Sequence, residues 1–95
     1  MDYSQENLNR IEELARQLTP ASEISALLEL PTEDDFLLDI ATPGHPARIR
    51  YLHGLATTAN DLRRKNLELA DACAPSAIEQ CFRDMRQMQI DLNRL

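Results

Sequence analysis

The sequence predicts an all-α protein in which an N-terminal three-helix, helix-turn-helix-like bundle precedes a long antiparallel helical hairpin. The 95 residues include only 2 Gly and 4% aromatic residues, and β-branched residues are few, so composition favours helices over a barrel or sandwich. Apolar residues recur at helical spacing, and the densest cluster of helix breakers lies at 43–46. We therefore expect a bundle over 1–42, a linker over 43–46 and a hairpin over 47–95.

The first two helices are predicted over residues 4–17 and 20–28. Thr19 is the expected N-cap of the second helix and Pro20 its first helical residue, because proline lacks the N–H that would be unpaired there. The apolar face of the first helix repeats at i, i+3, i+4 and i+7 and consists of Leu8, Ile11, Leu14, Ala15 and Leu18. The second helix is expected to bury Ile24, Leu27 and Leu28.

The third helix is predicted over residues 33–41. Thr32 and Asp35 have the spacing of a capping box, and acidic residues in the first turn complement the positive end of the helix dipole. We expect the inward face to contain Phe36, Leu37 and Ile40.

The hairpin is predicted from two stretches with alternating three- and four-residue apolar spacing, joined by a turn at Ala74 and Pro75. Only Gly54 interrupts the first stretch between Pro46 and Cys73. Asn66 lies in this stretch, where it either sets the register of the helix pair or occupies a solvated edge. The seam residues are Leu52, Leu55, Leu62 and Leu69 in the first stretch and Ile78, Met85, Met88 and Leu92 in the second.

Further apolar residues lie off the two seams, and two helices cannot cover all of them. They are Ile49, Tyr51, Phe82 and Ile90. We therefore expect a partner helix pair, most simply from a second copy of the chain, and hence a homo-oligomer.

Acidic residues are concentrated in the first half of the chain. Residues 1–45 hold ten acids and two bases, whereas residues 46–95 hold six acids and eight bases. The acids of the third helix have three possible roles: they cap that helix in solvent, they form an acidic surface for a basic protein partner, or they lie at a contact with DNA. The candidate surface comprises Glu33, Asp34, Asp35 and Asp39.

The basic residues of the second half are the candidates for contact with DNA, since phosphate neutralisation supplies much of the affinity of DNA-binding proteins. They are Arg48, Arg50, Arg63, Arg64 and Lys65. Two alternatives remain open. Arg64 has the spacing to pair with Glu68 on one helix, and the basic stripe could meet the acidic half of a neighbouring chain.

Catalytic, cofactor and membrane functions lack support in the sequence. No nucleophile has a histidine nearby in sequence, and the two histidines lack a third metal ligand. Cys73 and Cys81 lie eight residues apart around the expected turn, which is unsuitable for a disulfide, so we expect free thiols and a cytoplasmic location. No apolar run approaches the ~18 residues of a membrane span. We expect a non-catalytic protein that has no cofactor and no metal and does not associate with membranes.

The second and third helices match a helix-turn-helix pattern at the apolar and small positions. Those positions are Ile24, Ser25, Leu28, Leu30, Phe36 and Ile40. Ser25 stands where alanine is usual, Glu29 where the turn glycine is usual, and Phe36 comes one residue later than the common spacing.

The order of these elements resembles the small subunits of phage DNA-packaging terminases and related prophage proteins. The resemblance extends from about Leu18 to Leu92. It is carried by Leu18–Leu30, Arg50–Ala56, Leu62–Arg64, Leu67–Ala70 and Ala74–Ala77. It implies viral DNA recognition, ring assembly and transfer of DNA to a motor-nuclease partner. The acidic third helix departs from that pattern, and the sequence leaves little room for the C-terminal segment that often contacts the large subunit.

We therefore expect a non-catalytic small subunit of phage or mobile-element type that oligomerises through its hairpin and contacts duplex DNA or a DNA-processing partner. The alternative is an acidic helical protein–protein adaptor that does not bind nucleic acid.

Overall fold

The computed structural model describes residues 2–93, and all the regular secondary structure in that range is helical. The predicted all-α class is therefore confirmed. The helices are α1 (Gln5–Arg16), α2 (Ala21–Leu27), α3 (Glu33–Ala41), α4 (Pro46–Asp71) and α5 (Pro75–Asn93).

The described residues group into two compact units, one up to Ala59 and one from Asn60 onward. Helix α4 contributes its first part to one unit and its second part to the other. The boundary expected at 43–46 stays a prediction.

The core of the first unit draws one fully buried residue from each of four helices. These residues are Ile11, Ile24, Phe36 and Ala47. Tyr3, Leu8, Leu14, Leu28, Leu30, Ile40 and Tyr51 are among the partly buried residues packed around them. Ala47 belongs to α4, so the core unites α1, α2 and α3 with the beginning of α4.

Helices α1 and α4 approach each other closely at Gly54, which is buried. A Cβ atom at this position would overlap the carbonyl oxygen of Glu12 and lie 3.0 Å from both the Ala15 Cβ and the Arg16 nitrogen. One turn further along α4, the Thr58 hydroxyl donates a hydrogen bond to the Arg16 carbonyl. The absence of a side chain at residue 54 therefore allows α4 to bond to the end of α1.

The second unit is held together by small and polar side chains. Its one buried residue within the described part of the chain is Ala77. The Asn66 side-chain amide donates to the Ala77 carbonyl at 3.2 Å and approaches the Cys81 Sγ at 3.8 Å. Through these contacts Asn66, a residue of α4, links that helix to the first half of α5.

Three helices end in the same six-residue hydrogen-bonding pattern. After α2, the Glu29 and Leu30 N–H groups donate to the Ala26 and Ser25 carbonyls at 3.1 Å each. The pattern requires a left-handed residue, usually glycine. The residues in that conformation are Leu18 (φ 63°), Glu29 (φ 53°) and Cys73 (φ 64°).

Two predicted helix caps differ from the structure. The N-cap of α2 is Pro20 and not Thr19, because the Pro20 carbonyl accepts the first bonds of the helix, from Glu23 and Ile24. Thr32 is the N-cap of α3, but its side chain makes no capping hydrogen bond, so the predicted capping box is absent from this helix. Ser4, by contrast, accepts a bond from the Asn7 N–H and caps α1.

Three leucines predicted to point inward are exposed. Leu18 is 53% exposed because α1 ends at Arg16, so the apolar stripe stops before reaching it. Leu37 lies about 100° around α3 from the buried Phe36, and Leu27 lies about 60° around α2 from the buried Ile24, on the side away from the buried Ser25. Each short helix buries a face too narrow to include them.

We expect Gly54→Ala to destabilise the protein, because the new methyl group meets backbone atoms that cannot move aside. The overlap should cost about 1–3 kcal/mol, more than the gain of ~1 kcal/mol in helix propensity. Urea denaturation monitored by circular dichroism measures the change. Asn60→Ala, at an exposed position of α4, is the control and should leave the midpoint unchanged or slightly higher. A rise for Gly54→Ala would contradict this packing.

We expect Glu29→Gly to stabilise the protein by about 1 kcal/mol, because glycine adopts the left-handed conformation without steric cost. Glu29 is exposed, so its side chain contributes little packing. Glu29→Ala retains the Cβ atom and should gain nothing. Thermal unfolding of the two variants side by side measures the difference, and equal transitions would show that the turn is unstrained.

Candidate interaction surfaces

Helices α2 and α3 pack together around the left-handed turn at Glu29. Ile24, Ser25 and Phe36 are buried. Leu28, Leu30 and Ile40 are partly buried against the same core. All six apolar and small positions of the helix-turn-helix pattern are thus used for packing. Glu29 adopts the conformation for which glycine is usual at that position.

The four candidate acids occupy two different environments. Glu33, Asp34 and Asp35 are exposed in the first turn of α3. Asp39 is partly buried, with only 13% of its side chain exposed, and it bonds within the first unit. The exposed part of the acidic surface is therefore confined to the start of α3.

Asp39 belongs to a polar cluster with Tyr3 and His45. The Tyr3 hydroxyl donates to Asp39 Oδ2 at 2.6 Å, and His45 Nε2 lies 3.6 Å from Asp39 Oδ1. The Tyr3 ring makes edge contacts with Phe36 and His45, with ring centroids 6.2 and 5.7 Å apart. His45 Nδ1 accepts the Ala47 N–H at 3.1 Å. The cluster therefore joins the N-terminal segment to α3 and to the start of α4, and nothing in the spacing of the sequence pointed to Tyr3.

The hydrogen bond changes the acidity of both partners. The bond from Tyr3 lowers the pKa of Asp39 below its usual range, and burial opposes this shift only in part. Burial, followed by the bond to the Asp39 carboxylate, raises the pKa of Tyr3 well above its ordinary value. Both shifts favour a neutral phenol donating to a charged carboxylate.

Arg48 and Arg50 are engaged within the first unit. The Arg48 guanidinium donates to the Ile40 carbonyl at 2.8 Å. Arg50 donates to Asn9 Oδ1, and its Nε lies 3.7 Å from Glu12 Oε1. The same carboxylate lies 3.2 Å from His53 Nδ1. Glu12 thus links α1 to α4, although its place on the polar face of α1 gave no sign of that role.

The other three basic candidates lie in the second unit and are exposed. Arg64 pairs with Asp61 at 2.5 Å, not with Glu68. Arg63 and Lys65 form no ion pair with any residue in 2–93. The use of the five basic residues for binding stays a prediction, with Arg63, Arg64 and Lys65 the most accessible.

Seven of the eight seam residues are exposed in the single chain, by 37% to 69%. They are Leu52, Leu55, Leu62, Leu69, Met85, Met88 and Leu92. Ile78 is partly buried. The contact between α4 and α5 uses Asn66, Ala77 and Cys81, so the large seam residues are free to meet another molecule. Ile49, Phe82 and Ile90 are also exposed, whereas Tyr51 is partly buried.

Residues 2–93 contain no group of three or more His, Cys, Asp or Glu side chains arranged to hold a metal ion. None of the helices in that range combines the length and hydropathy that crossing a bilayer requires.

We expect Tyr3→Phe to lower the free energy of unfolding at pH 7 by about 1–2 kcal/mol, since it removes a hydrogen bond to a charged group. Because the pKa of Asp39 is depressed in the folded state, this stabilisation is present above the unfolded value of ~3.9 and is lost as pH falls through the folded pKa. Urea denaturation at pH 7 and at successively lower pH should show the two proteins converging.

Tyr51→Phe is the matched control, because the Tyr51 hydroxyl makes no hydrogen bond within residues 2–93. Its stability should follow the unsubstituted protein at every pH. A loss in Tyr3→Phe that persisted unchanged in acid would assign the effect to ring packing and exclude the Asp39 bond as its source.

No family model matches the chain, and neither the curated proteins nor the solved structures contain a significant match.

Proposed function

We propose that the protein is a non-catalytic assembly subunit of the phage or mobile-element type. It self-associates through its C-terminal unit and contacts duplex DNA or a DNA-processing partner. The proposal includes a helix-turn-helix-like bundle followed by a helical hairpin, the arrangement in terminase small subunits.

The exposed apolar side chains of the second unit carry the self-association part of the proposal. Within residues 60–93, eight large apolar residues are between 48% and 69% exposed, and Ala77 is the one buried residue. They are Leu62, Leu67, Leu69, Phe82, Met85, Met88, Ile90 and Leu92. So much apolar surface in so small a unit is typical of a surface that another molecule covers.

The arrangement of α2 and α3 supports the helix-turn-helix-like part of the proposal. Two short helices, a left-handed turn residue and buried Ile24, Ser25 and Phe36 are the features of a helix-turn-helix element. Of the five basic candidates, Arg63, Arg64 and Lys65 in the second unit remain accessible to phosphate. DNA contact through these residues is therefore favoured over base reading by the acidic α3.

The exposed acids of α3 favour a second candidate function. Glu33, Asp34 and Asp35 occupy the first turn, where a DNA-reading helix needs groups that tolerate a polyanion. An adaptor that binds a basic protein through this turn, without nucleic acid, is the alternative. Salt-sensitive binding to a basic protein, with no DNA binding at low salt, would favour it.

The assembly proposal predicts that Leu62→Glu combined with Met85→Glu reduces the solution mass to that of a monomer. Both residues are about half exposed, so the helical circular dichroism signal should be retained. Light scattering coupled to gel filtration measures the mass. Leu27→Glu with Leu38→Glu makes the same chemical change at exposed leucines of the first unit and should leave the mass unchanged. A monomeric unsubstituted protein would refute the assembly proposal.

The DNA proposal predicts that replacing Arg63, Arg64 and Lys65 with alanine weakens duplex binding and flattens its salt dependence. The slope of log K against log salt should fall by roughly 0.9 for each phosphate that the variant no longer neutralises. Fluorescence anisotropy at several salt concentrations measures it. Arg10→Ala, which removes an exposed base of α1, is the control and should leave the slope unchanged. An unchanged slope in the triple variant would refute this DNA-binding site. If the unsubstituted protein did not bind DNA at low salt, the adaptor function would be the remaining candidate.

A further inference from the structure

A shallow groove of about 510 Å³ lies along one side of α5. It is lined by Glu79, Phe82, Met85, Arg86 and Gln89. Phe82 is 57% and Met85 49% exposed. The groove is therefore apolar at its centre, with an acid towards one end and a base towards the other.

The acid and the base lie on one side of the helix. Glu79 and Arg86 are seven residues apart, about two turns and ~10.5 Å along the axis. Glu79 bonds to Arg83 at 2.9 Å, but both side chains are more than half exposed, and such surface pairs contribute little. Arg86 has no ion-pair partner among residues 2–93. Both charges are available to a binding partner.

We infer that α5 of a second copy occupies this groove, antiparallel and related by a two-fold axis that passes between Phe82 and Met85. Under that symmetry the groove complements itself, because Glu79 meets the partner's Arg86 and Arg86 meets the partner's Glu79. Phe82 packs against the partner's Met85, an aromatic–thioether contact, and the reciprocal pair forms across the axis.

The same charges oppose a parallel pairing of two copies. In a parallel, in-register pair Glu79 would face the partner's Glu79 and Arg86 the partner's Arg86, placing like charges together at both ends. The antiparallel pair places opposite charges together at both ends. The charge arrangement therefore selects both the partner and its direction.

This inference rests on the proposed self-association and names one of its contacts. Helix α5 has 19 residues, or ~28 Å of length, and one face of such a helix covers less than the ~800 Å² per partner of a standard interface. We expect this contact to give a dimer that dissociates on dilution, to which the other exposed apolar residues of the assembly add.

Charge reversal tests the inference directly. Glu79→Arg alone places two arginines together at both ends of the pair, and Arg86→Glu alone places two glutamates together. Each should weaken dimerisation at least tenfold in sedimentation equilibrium at low salt. The double variant, Glu79→Arg with Arg86→Glu, should restore it. A mixture of the two single variants should form a heterodimer, because both ends of that pair then join opposite charges.

Asp91→Arg is the control for net charge, since it makes the same change as Glu79→Arg on α5 outside this groove. It should leave dimerisation unchanged, and the circular dichroism of all variants should match. Weakening by Asp91→Arg equal to that by Glu79→Arg would overturn the inference in favour of a general charge effect.

Two further results separate the inference from the proposed function. If the protein assembles but neither charge reversal alters the mass, the α5 pairing is refuted and the assembly proposal stands. If the unsubstituted protein is a monomer at every concentration, both are refuted, and the groove is left to a different partner.

Discussion

The close approach of α1 and α4 at Gly54 is the constraint on which the unit up to Ala59 depends. With no side chain at this position, the backbone of α4 lies against the carbonyl of Glu12 and the Cβ of Ala15. That separation brings Thr58 to the Arg16 carbonyl and Arg50 and His53 to Glu12. The polar contacts between these helices therefore depend on the absence of a side chain at residue 54. They hold Ala47 in the same core as Ile11.

The residues that adopt the left-handed backbone conformation after α1 and α2 complete the geometry of the first unit. Leu18 and Glu29 allow α1 and α2 to stop with their last carbonyls bonded, so that short connections turn the chain towards the next helix. Neither residue is glycine, and each therefore carries a steric cost that packing elsewhere must offset. The buried Ile24 and Phe36 on either side of the Glu29 turn supply part of that packing.

Helical periodicity predicted most of the backbone. The predicted bounds of α3 match the structure at both ends, and those of α1 and α4 differ from it by no more than two residues. Periodicity did not predict which apolar residues are buried. Leu27 and Leu37 fit a helical stripe but lie beside faces that a short helix cannot bury whole. It also treated Gly54 as an interruption, because a glycine that permits a helix contact and one that breaks a helix look the same in a single sequence.

The sequence likewise predicted some features of the candidate surfaces and not others. Exposure of Arg63 and of the acids of α3 follows from their place in polar stretches. The internal bonds of Arg48, Arg50 and Asp39 depend on helices that are distant in sequence, and no local pattern encodes them. The large residues of the two seams were recognisable as apolar, but periodicity alone does not distinguish a seam within the chain from a surface between chains.

The small contact between α4 and α5 has a consequence for turnover of the protein. Helix α5 is held against α4 by the burial of Ala77 and by the two contacts of Asn66. This contact buries little apolar surface, and each buried CH₂ group contributes only ~0.8 kcal/mol to stability. We therefore expect this unit to open locally at a low free-energy cost, with fast amide exchange and ready access for proteases. On the proposed self-association, neighbouring copies would protect α5, and degradation would fall selectively on chains left in excess of the assembly.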